Sequence, residues 1–171
     1  MKTYTFTLVL DQSPRIDEEI VDKLFEAGCD DALAYVRHGV SMLEFDREAN
    51  SLRDAVMSAK ADILSADDRL RIRRIEPEDL VSMPEMARRS SGTRENIRQI
   101  VTGQRGPKTF PLPVRGASTK SPLWSWAQVA RWMADHEKLD REVARQAQGI
   151  LRLNDELEQK AIKSTVQATY S

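Results

Sequence analysis

Apolar residues recur with two alternating periods along the first part of the chain. A period of two, typical of half-buried strands, marks the segments 3–10 and, with one slip, 69–75, and the segments 32–37 and 40–46 are further β-like runs. A spacing of three and four, typical of amphipathic helices, marks the segments 17–27 and 51–64. The predicted order of elements is therefore β-α-β-β-α-β.

This order predicts a ferredoxin-like α+β sandwich over residues 1–78. A four-stranded sheet would carry both helices on one face, and His38-Gly39 would form a hairpin turn between the second and third strands. Pro77 and the acidic residues around it mark the end of this domain. The fold hosts many unrelated functions, so the architecture alone does not identify one.

Beyond this domain the pattern changes to short helices separated by turns. Ser82 and Glu85 have the spacing of a capping box, which predicts the start of a helix. Gly92 lies in a turn before Thr93, which can cap a second helix over residues 94–101. Two short helices joined by a glycine-containing turn are typical of a helix-turn-helix, whose second helix enters the DNA major groove.

The second of these helices has an apolar face and a polar face. Ile97, Ile100 and Val101 share one side and are expected to pack against the domain. The other side carries arginine, glutamine and asparagine, which pair with guanine and adenine edges. The candidate DNA-binding residues of this helix are Thr93, Arg94, Glu95, Asn96, Arg98, Gln99 and Thr102. The alternative is an ordinary solvated helix face.

Residues 104–124 are predicted to form a β-wing. Phe110, next to two nearby prolines, suggests an extended ribbon that one aromatic side chain anchors, and the chain returns after a polar tip. Three basic residues of the wing are candidates for contacts with DNA phosphates, namely Arg105, Lys108 and Lys120.

A further helix over residues 127–134 completes a predicted winged helix-turn-helix domain of residues 79–135. The domain contains every tryptophan of the chain: Trp124, Trp126 and Trp132. A small domain needs large apolar side chains, so these rings are expected in the core rather than stacked on bases.

The C-terminal segment, residues 136–171, contains a long helix candidate over 138–166. Its apolar residues follow a spacing of three and four, at Leu139, Val143, Ile150, Leu153 and Leu157. This short seam, which Gln146 and Lys160 interrupt, fits a coiled-coil homodimer, and a dimer would present two recognition helices to a repeated site. It fits equally well a helix that packs against its own domain.

Charge is distributed unevenly along the chain. The net charge is only −1, but residues 1–81 carry 11 basic and 18 acidic side chains, whereas residues 82–134 carry 9 basic and 2 acidic ones. A segment of charge +7 beside one of −7 is typical of a local contact with a polyanion such as double-stranded DNA.

Other classes of function find little support. Cys29 is the single cysteine, and the N-terminus reads as a strand rather than a signal peptide, so a cytoplasmic location is expected. No apolar run is long enough for a membrane span, so no membrane partner is expected. His38 and His136 are far apart in sequence, and no catalytic or nucleotide-binding motif occurs, so we expect no metal, no cofactor, no catalytic residue and no enzymatic activity.

The runs SMPEMARRSSGTRENIRQIVTGQRGPKTFPLPV and SPLWSWAQVARWM resemble the winged helix-turn-helix shared by excisionase-like and MerR-like regulators. Residues 3–133, about three quarters of the chain, resemble a widespread bacterial family of helix-turn-helix DNA-binding proteins. The resemblance implies DNA binding and a regulatory role, and it supplies no target operator. Lys108-Thr109 stands where members of that family often have Gly-Gly, which adds a charge to the turn.

Two functions follow from these patterns. The first is a sequence-specific transcriptional regulator, a homodimer whose N-terminal domain binds a protein partner or a small ligand. The alternative is an antitoxin-like or adaptor protein, whose N-terminal domain binds a partner protein and whose DNA binding is autoregulatory.

Overall fold

Helices and strands form largely where the hydrophobic periods predict them. The computed structural model describes residues 1–170, and within that range the protein is an α+β protein with six helices and a four-stranded antiparallel sheet, which confirms the predicted class. The first elements are β1 (Lys2–Leu10), α1 (Glu18–Glu26), β2 (Ala32–Arg37), β3 (Val40–Ala49), α2 (Leu52–Ala66) and β4 (Ile72–Glu76). The later elements are β5 (Leu80–Val81), α3 (Met83–Arg89), α4 (Arg94–Val101), β6 (Trp124–Ser125), α5 (Trp126–Asp135) and α6 (Arg141–Thr169).

Two strand ends differ from the sequence prediction. β4 begins at Ile72 rather than at residue 69, because a turn follows α2. In this turn the N–H of Leu70 donates to the C=O of Asp67. The Asp67 carboxylate also accepts hydrogen bonds from Arg69. β3 continues beyond residue 46 to Ala49, because it stays paired with β1 as far as the first residue of that strand.

The sheet has the strand order β2-β3-β1-β4, and every neighbouring pair is antiparallel. Phe6 lies opposite Phe45, and Leu8 lies opposite Leu43. These four side chains are almost fully buried, and the two phenylalanine rings stack with their centroids 5.4 Å apart. One face of β1 and β3 therefore forms the core of this part of the chain.

The opposite face of the sheet is polar along most of β3, although Val9 and Met42, which lie opposite each other on this face, are buried. Glu44, Asp46 and Glu48 alternate along β3 and are all exposed, as expected for a solvated strand face. The Thr5 hydroxyl on β1 donates to the Asp46 carboxylate at 2.6 Å.

The edge of the sheet at β4 is covered by a side chain of α6. The Ile75 N–H donates to the Asn154 side-chain oxygen, and the Asn154 amide nitrogen donates to the Ile75 C=O, both at 2.8 Å. The Asn154 amide thus takes the place that a neighbouring strand would occupy.

The chain forms two compact units. One comprises Met1–Pro77 together with the part of the chain from Arg152 onward, and the other comprises Glu78–Leu151. The segment 136–171, predicted from the sequence as a separate region, is therefore divided between the two units. Ile150 and Leu153, two residues of the predicted coiled-coil seam, are buried within this chain, so they are not available to a coiled-coil partner.

The second unit has its own apolar core. Trp124, Trp126 and Trp132 are 3%, 4% and 7% exposed, which confirms their predicted place in the core. They pack with the buried residues of α3, α4 and α5 and with Ala144 and Ala147 of α6. β5 and β6 pair over two residues each, which the sequence does not predict. This pairing joins the chain just before α3 to the chain just after the predicted wing.

Candidate nucleic-acid interface

Side chains at both helix starts fix the geometry of α3 and α4. The Ser82 hydroxyl accepts from the Glu85 N–H at 3.4 Å, and the Thr93 hydroxyl accepts from the Asn96 N–H at 3.1 Å. The chain turns between the helices at Ser91, whose φ is 54°. Such caps satisfy N–H groups that have no partner inside the helix, so both short helices have defined starts.

Only half of the predicted capping box forms. The Glu85 carboxylate does not bind back to the Ser82 N–H, because it forms ion pairs with Arg88 and Arg89 instead. These two pairs, with Arg88 contributing most, lower the pKa of Glu85 to about 2. Arg89 also donates to the Glu78 C=O and lies over the Trp126 ring, so it is part of the fold rather than a free cation.

The orientation of α4 follows from its apolar residues. Ile97 and Ile100 are each 2% exposed and pack in the core of the second unit, and Val101 is half-buried against it. This burial confirms the predicted inward face. The opposite side of α4 is therefore turned to solvent.

The predicted DNA-binding residues of α4 lie on that outward side, with Arg94 and Asn96 on its flanks and Thr93 at the N-cap. The exposed ones are Thr93, Arg94, Glu95, Arg98 and Thr102, and the half-buried ones are Asn96 and Gln99. Their side chains include the guanidinium groups of Arg94 and Arg98, the amides of Asn96 and Gln99, and the carboxylate of Glu95. Such a face has the donors and acceptors that base edges require.

Glu95 organises the centre of this face. Its carboxylate accepts from Arg98 Nε at 2.9 Å and from Arg98 Nη2 at 2.7 Å, and it also accepts from Gln99 at 3.0 Å. The hydrogen bonds from Arg98 first, and from Gln99 second, lower the pKa of Glu95 to about 2. The carboxylate is therefore charged at neutral pH and neutralises Arg98. A nucleic acid that uses Arg98 must replace this partner.

Arg94 differs from Arg98. Within residues 1–170 it forms no hydrogen bond or ion pair, and it stands exposed in the first turn of α4. Its charge is available to a ligand without the loss of an internal contact.

The wing is less regular than predicted. Between α4 and β6 the described chain contains no strand, and one isolated bridge joins Arg115 to Leu123. Within the described chain the predicted ribbon forms no regular ladder, and backbone hydrogen bonds join the two sides of the wing at this bridge. Four prolines fall within residues 107–122, and proline has no N–H to contribute to a ladder.

Aromatic contacts anchor the wing in place of a ladder. Phe110 meets the Trp132 ring edge-on, with centroids 5.0 Å apart. The indole N–H of Trp132 donates to the Thr109 hydroxyl at 3.0 Å, and that of Trp124 donates to the Pro111 C=O at 3.1 Å. The wing is therefore held by Phe110, as predicted, and also by the indole rings of Trp124 and Trp132.

Two of the three basic wing residues lie beside α4. Arg105 donates to the Asn96 side chain at 3.4 Å, and Lys108 packs near Gly103 at the end of the helix. Lys120 is exposed at the tip, and no contact joins it to α4 in the described residues. Sequence reasoning missed Gln104, whose side-chain oxygen accepts from Arg98 at 3.4 Å. Gln104 lies beyond the end of α4, so the helical spacing of residues could not predict that it contacts Arg98.

Other side chains with reactive potential do not form a site. Cys29 is buried, and this burial, together with the nearby Asp62 carboxylate, raises the pKa of its thiol to about 11. The thiol is therefore protonated at neutral pH. Residues 1–170 contain no group of three or more histidine, cysteine or acidic side chains that could hold a metal ion. Within the same range no helix is long and apolar enough to cross a membrane.

The candidate interface consists of the outward face of α4 and the adjoining basic residues of the wing. Phe110 and Trp132 anchor the wing to the core of the second unit. Comparison of the chain with protein-family models, curated proteins and solved structures finds no match.

Proposed function

We propose that the protein is a sequence-specific DNA-binding transcriptional regulator whose second unit is a winged helix-turn-helix. The observation that carries the proposal is the polar outward face of α4, which the burial of Ile97 and Ile100 fixes in orientation. This face combines Arg94, Arg98 and Gln99, and it lies in the most basic part of the chain. Helices with this arrangement read base edges in the major groove.

In this proposal α4 is the recognition helix and the wing contacts the backbone. Arg94, Arg98 and Gln99 contact bases, with Asn96 and Thr102 at the margins. Arg105, Lys108 and Lys120 contact phosphates, which position the protein without specifying sequence. The Glu95 carboxylate accepts from a cytosine amino group or repels phosphate at that position, so it sharpens the choice of sequence.

The first unit supplies a binding function in this proposal. The element order and the strand order β2-β3-β1-β4 support a ferredoxin-like domain. A protein partner or a small ligand of that domain would control the regulator. The regulator acts as a homodimer, because two copies of α4 can then read a repeated half-site.

The test begins with selection of binding sequences from a random duplex library, followed by titration of the selected duplex and a scrambled one. We expect a single enriched motif that binds about a thousandfold more tightly than the scrambled duplex. Arg98→Ala should weaken binding to the selected duplex about tenfold to a hundredfold, with a much smaller effect on the scrambled one.

The matched control is Arg73→Ala, which removes an exposed arginine of β4 in the first unit, away from β2. This variant should bind the selected duplex like the wild type. Failure to enrich any motif, or equal binding by the folded Arg98→Ala protein, would contradict the proposed function.

A further inference from the structure

The two edges of the four-stranded sheet differ in how their backbone groups are satisfied. At β4 the side chain of Asn154 bonds both backbone groups of Ile75. At the other edge β2 pairs only with β3, and in the described residues no further strand lies beside it. An unpaired strand edge presents a row of N–H and C=O groups to other chains.

The register of the hairpin identifies the outward groups. The Asp46 N–H donates to the Asp31 C=O at 3.1 Å, which sets the phase of the β2–β3 ladder. In an antiparallel pair, bonded and non-bonded residues alternate. The odd-numbered residues of β2 therefore bond to β3, whereas Ala34 and Val36 direct their N–H and C=O groups away from the sheet.

This edge is apolar as well as unpaired. Leu33 and Val36 are 64% and 52% exposed, and Phe25 of the neighbouring α1 is 65% exposed. An open groove between α1 and β2 runs beside the outward groups; apolar side chains such as Val21 and Val36 line its floor together with three acidic residues, Asp17, Glu18 and Asp22. Protective devices such as proline or lysine are missing from β2, whose single charge is at its last residue, Arg37.

The sequence of β2 is complementary to itself when two copies run antiparallel. Its beginning follows Asp30-Asp31, and its end is Arg37 followed by His38. Asp31 is held by Arg47 of its own chain, but a two-fold axis at Ala34 brings the exposed Asp30 beside the beginning of one strand close to the exposed Arg37 at the end of the other. The same register sets Leu33 beside the partner's Tyr35 on one face. Identical edges joined in this way form a closed, isologous contact.

We propose that β2 is the homodimer interface, where it pairs antiparallel with β2 of a second copy of this chain to form one continuous eight-stranded sheet. The Ala34 residues of the two copies meet at the two-fold axis. This inference specifies the homodimer of the proposed function, but it does not depend on DNA binding. Its test is made without DNA, so a monomeric result would leave the DNA-binding proposal standing.

The first experiment measures the mass of the full chain by sedimentation. We expect the wild type to have twice the 19.4 kDa mass of one chain. Ala34→Pro removes an outward N–H and leaves the β2–β3 ladder intact, so it should weaken the dimer at least about tenfold. Ala34→Ser keeps the N–H and should dimerise like the wild type. A monomeric wild type, or an Ala34→Pro dimer of unchanged affinity, would overturn the proposal.

A cross-link tests the register without proline. Two Cα atoms of a hydrogen-bonded antiparallel pair lie about 5.5 Å apart, which is within reach of a disulfide. Ala34→Cys should therefore give a covalent dimer on mild oxidation, whereas Ser65→Cys, on the exposed side of α2, should not. Equal cross-linking of the two variants would overturn the register. A wild-type chain that stays monomeric but binds an added peptide strand at this edge would assign the edge to another protein.

Discussion

Arg47 shows how one buried charge fixes the inner side of the first unit. Its guanidinium bonds the Asp31 carboxylate twice, at 2.7 and 2.8 Å, and bonds Asp62 at 2.7 Å. Ser58 and the Gly28 C=O accept its remaining N–H groups. The hydrogen bonds that Arg47 donates to Asp31 outweigh the effect of burial and raise the pKa of Arg47. Every donor of this 7%-exposed residue is therefore satisfied.

Replacing Arg47 by methionine should destabilise the protein by about 3 kcal/mol, because it leaves two partly buried carboxylates without a cation. The effect lies at the lower end of the range for buried pairs, since both carboxylates keep some contact with water. Urea unfolding followed by circular dichroism measures the loss. Arg53→Met is the control: its ion pair with Glu156 is exposed on both sides, so a much smaller change is expected. Equal losses in the two variants would contradict the role of Arg47.

At the level of elements, one side chain completes the sheet. Asn154 sits on α6 and satisfies the outer N–H and C=O of Ile75, so helix and strand are joined by a bidentate hydrogen bond. The same contact blocks this edge against pairing with other strands.

Asn154→Leu should destabilise the protein by about 1–3 kcal/mol, because the Ile75 N–H and C=O lose their partners at a partly buried position. Amide hydrogen exchange provides the specific readout: exchange at β4 should accelerate more than exchange at β3. Gln159→Leu, an exposed change on the same helix, is the matched control and should leave β4 protected. Unchanged exchange in the Asn154 variant would show that water replaces the amide without loss.

The sequence predicts those elements whose signal is local and periodic. β1 repeats its alternation over a whole strand, and the inward side of α4 follows from the spacing of Ile97 and Ile100. The β5–β6 pair is only two residues long on each side, so it has no period to detect. Asn154 reads as an ordinary helix-surface residue because its partner lies 79 positions away in the chain. The wing, finally, contains four prolines and forms no regular ladder within the described chain.

At the level of the whole molecule, charge is separated rather than balanced. The net charge is −1, but the basic segment 82–134 lies within the second unit, and the acidic residues lie mostly in the first. A protein of this kind is expected to bind DNA through one region while its acidic part discourages non-specific contact. Salt therefore tests the arrangement directly.

The affinity for DNA should fall steeply with salt, by about 0.9 in the logarithmic slope for each phosphate neutralised. Lys108→Ala and Lys120→Ala should each reduce the slope by about one and weaken binding to all duplexes alike. Lys163→Ala removes a lysine from the exposed end of α6, outside the basic segment, and should leave the slope unchanged. Fluorescence anisotropy at several salt concentrations measures all three. A slope that none of the variants alters would place the phosphate contacts elsewhere.

The distribution of the tryptophans has a practical consequence. All three belong to the unit that contains α4, whereas the single cysteine, Cys29, is buried in the other unit. Intrinsic fluorescence therefore monitors one half of the chain, and the onset of thiol alkylation monitors the other. The natural sequence supplies two independent reporters, so the melting of each unit can be followed without engineered substitutions.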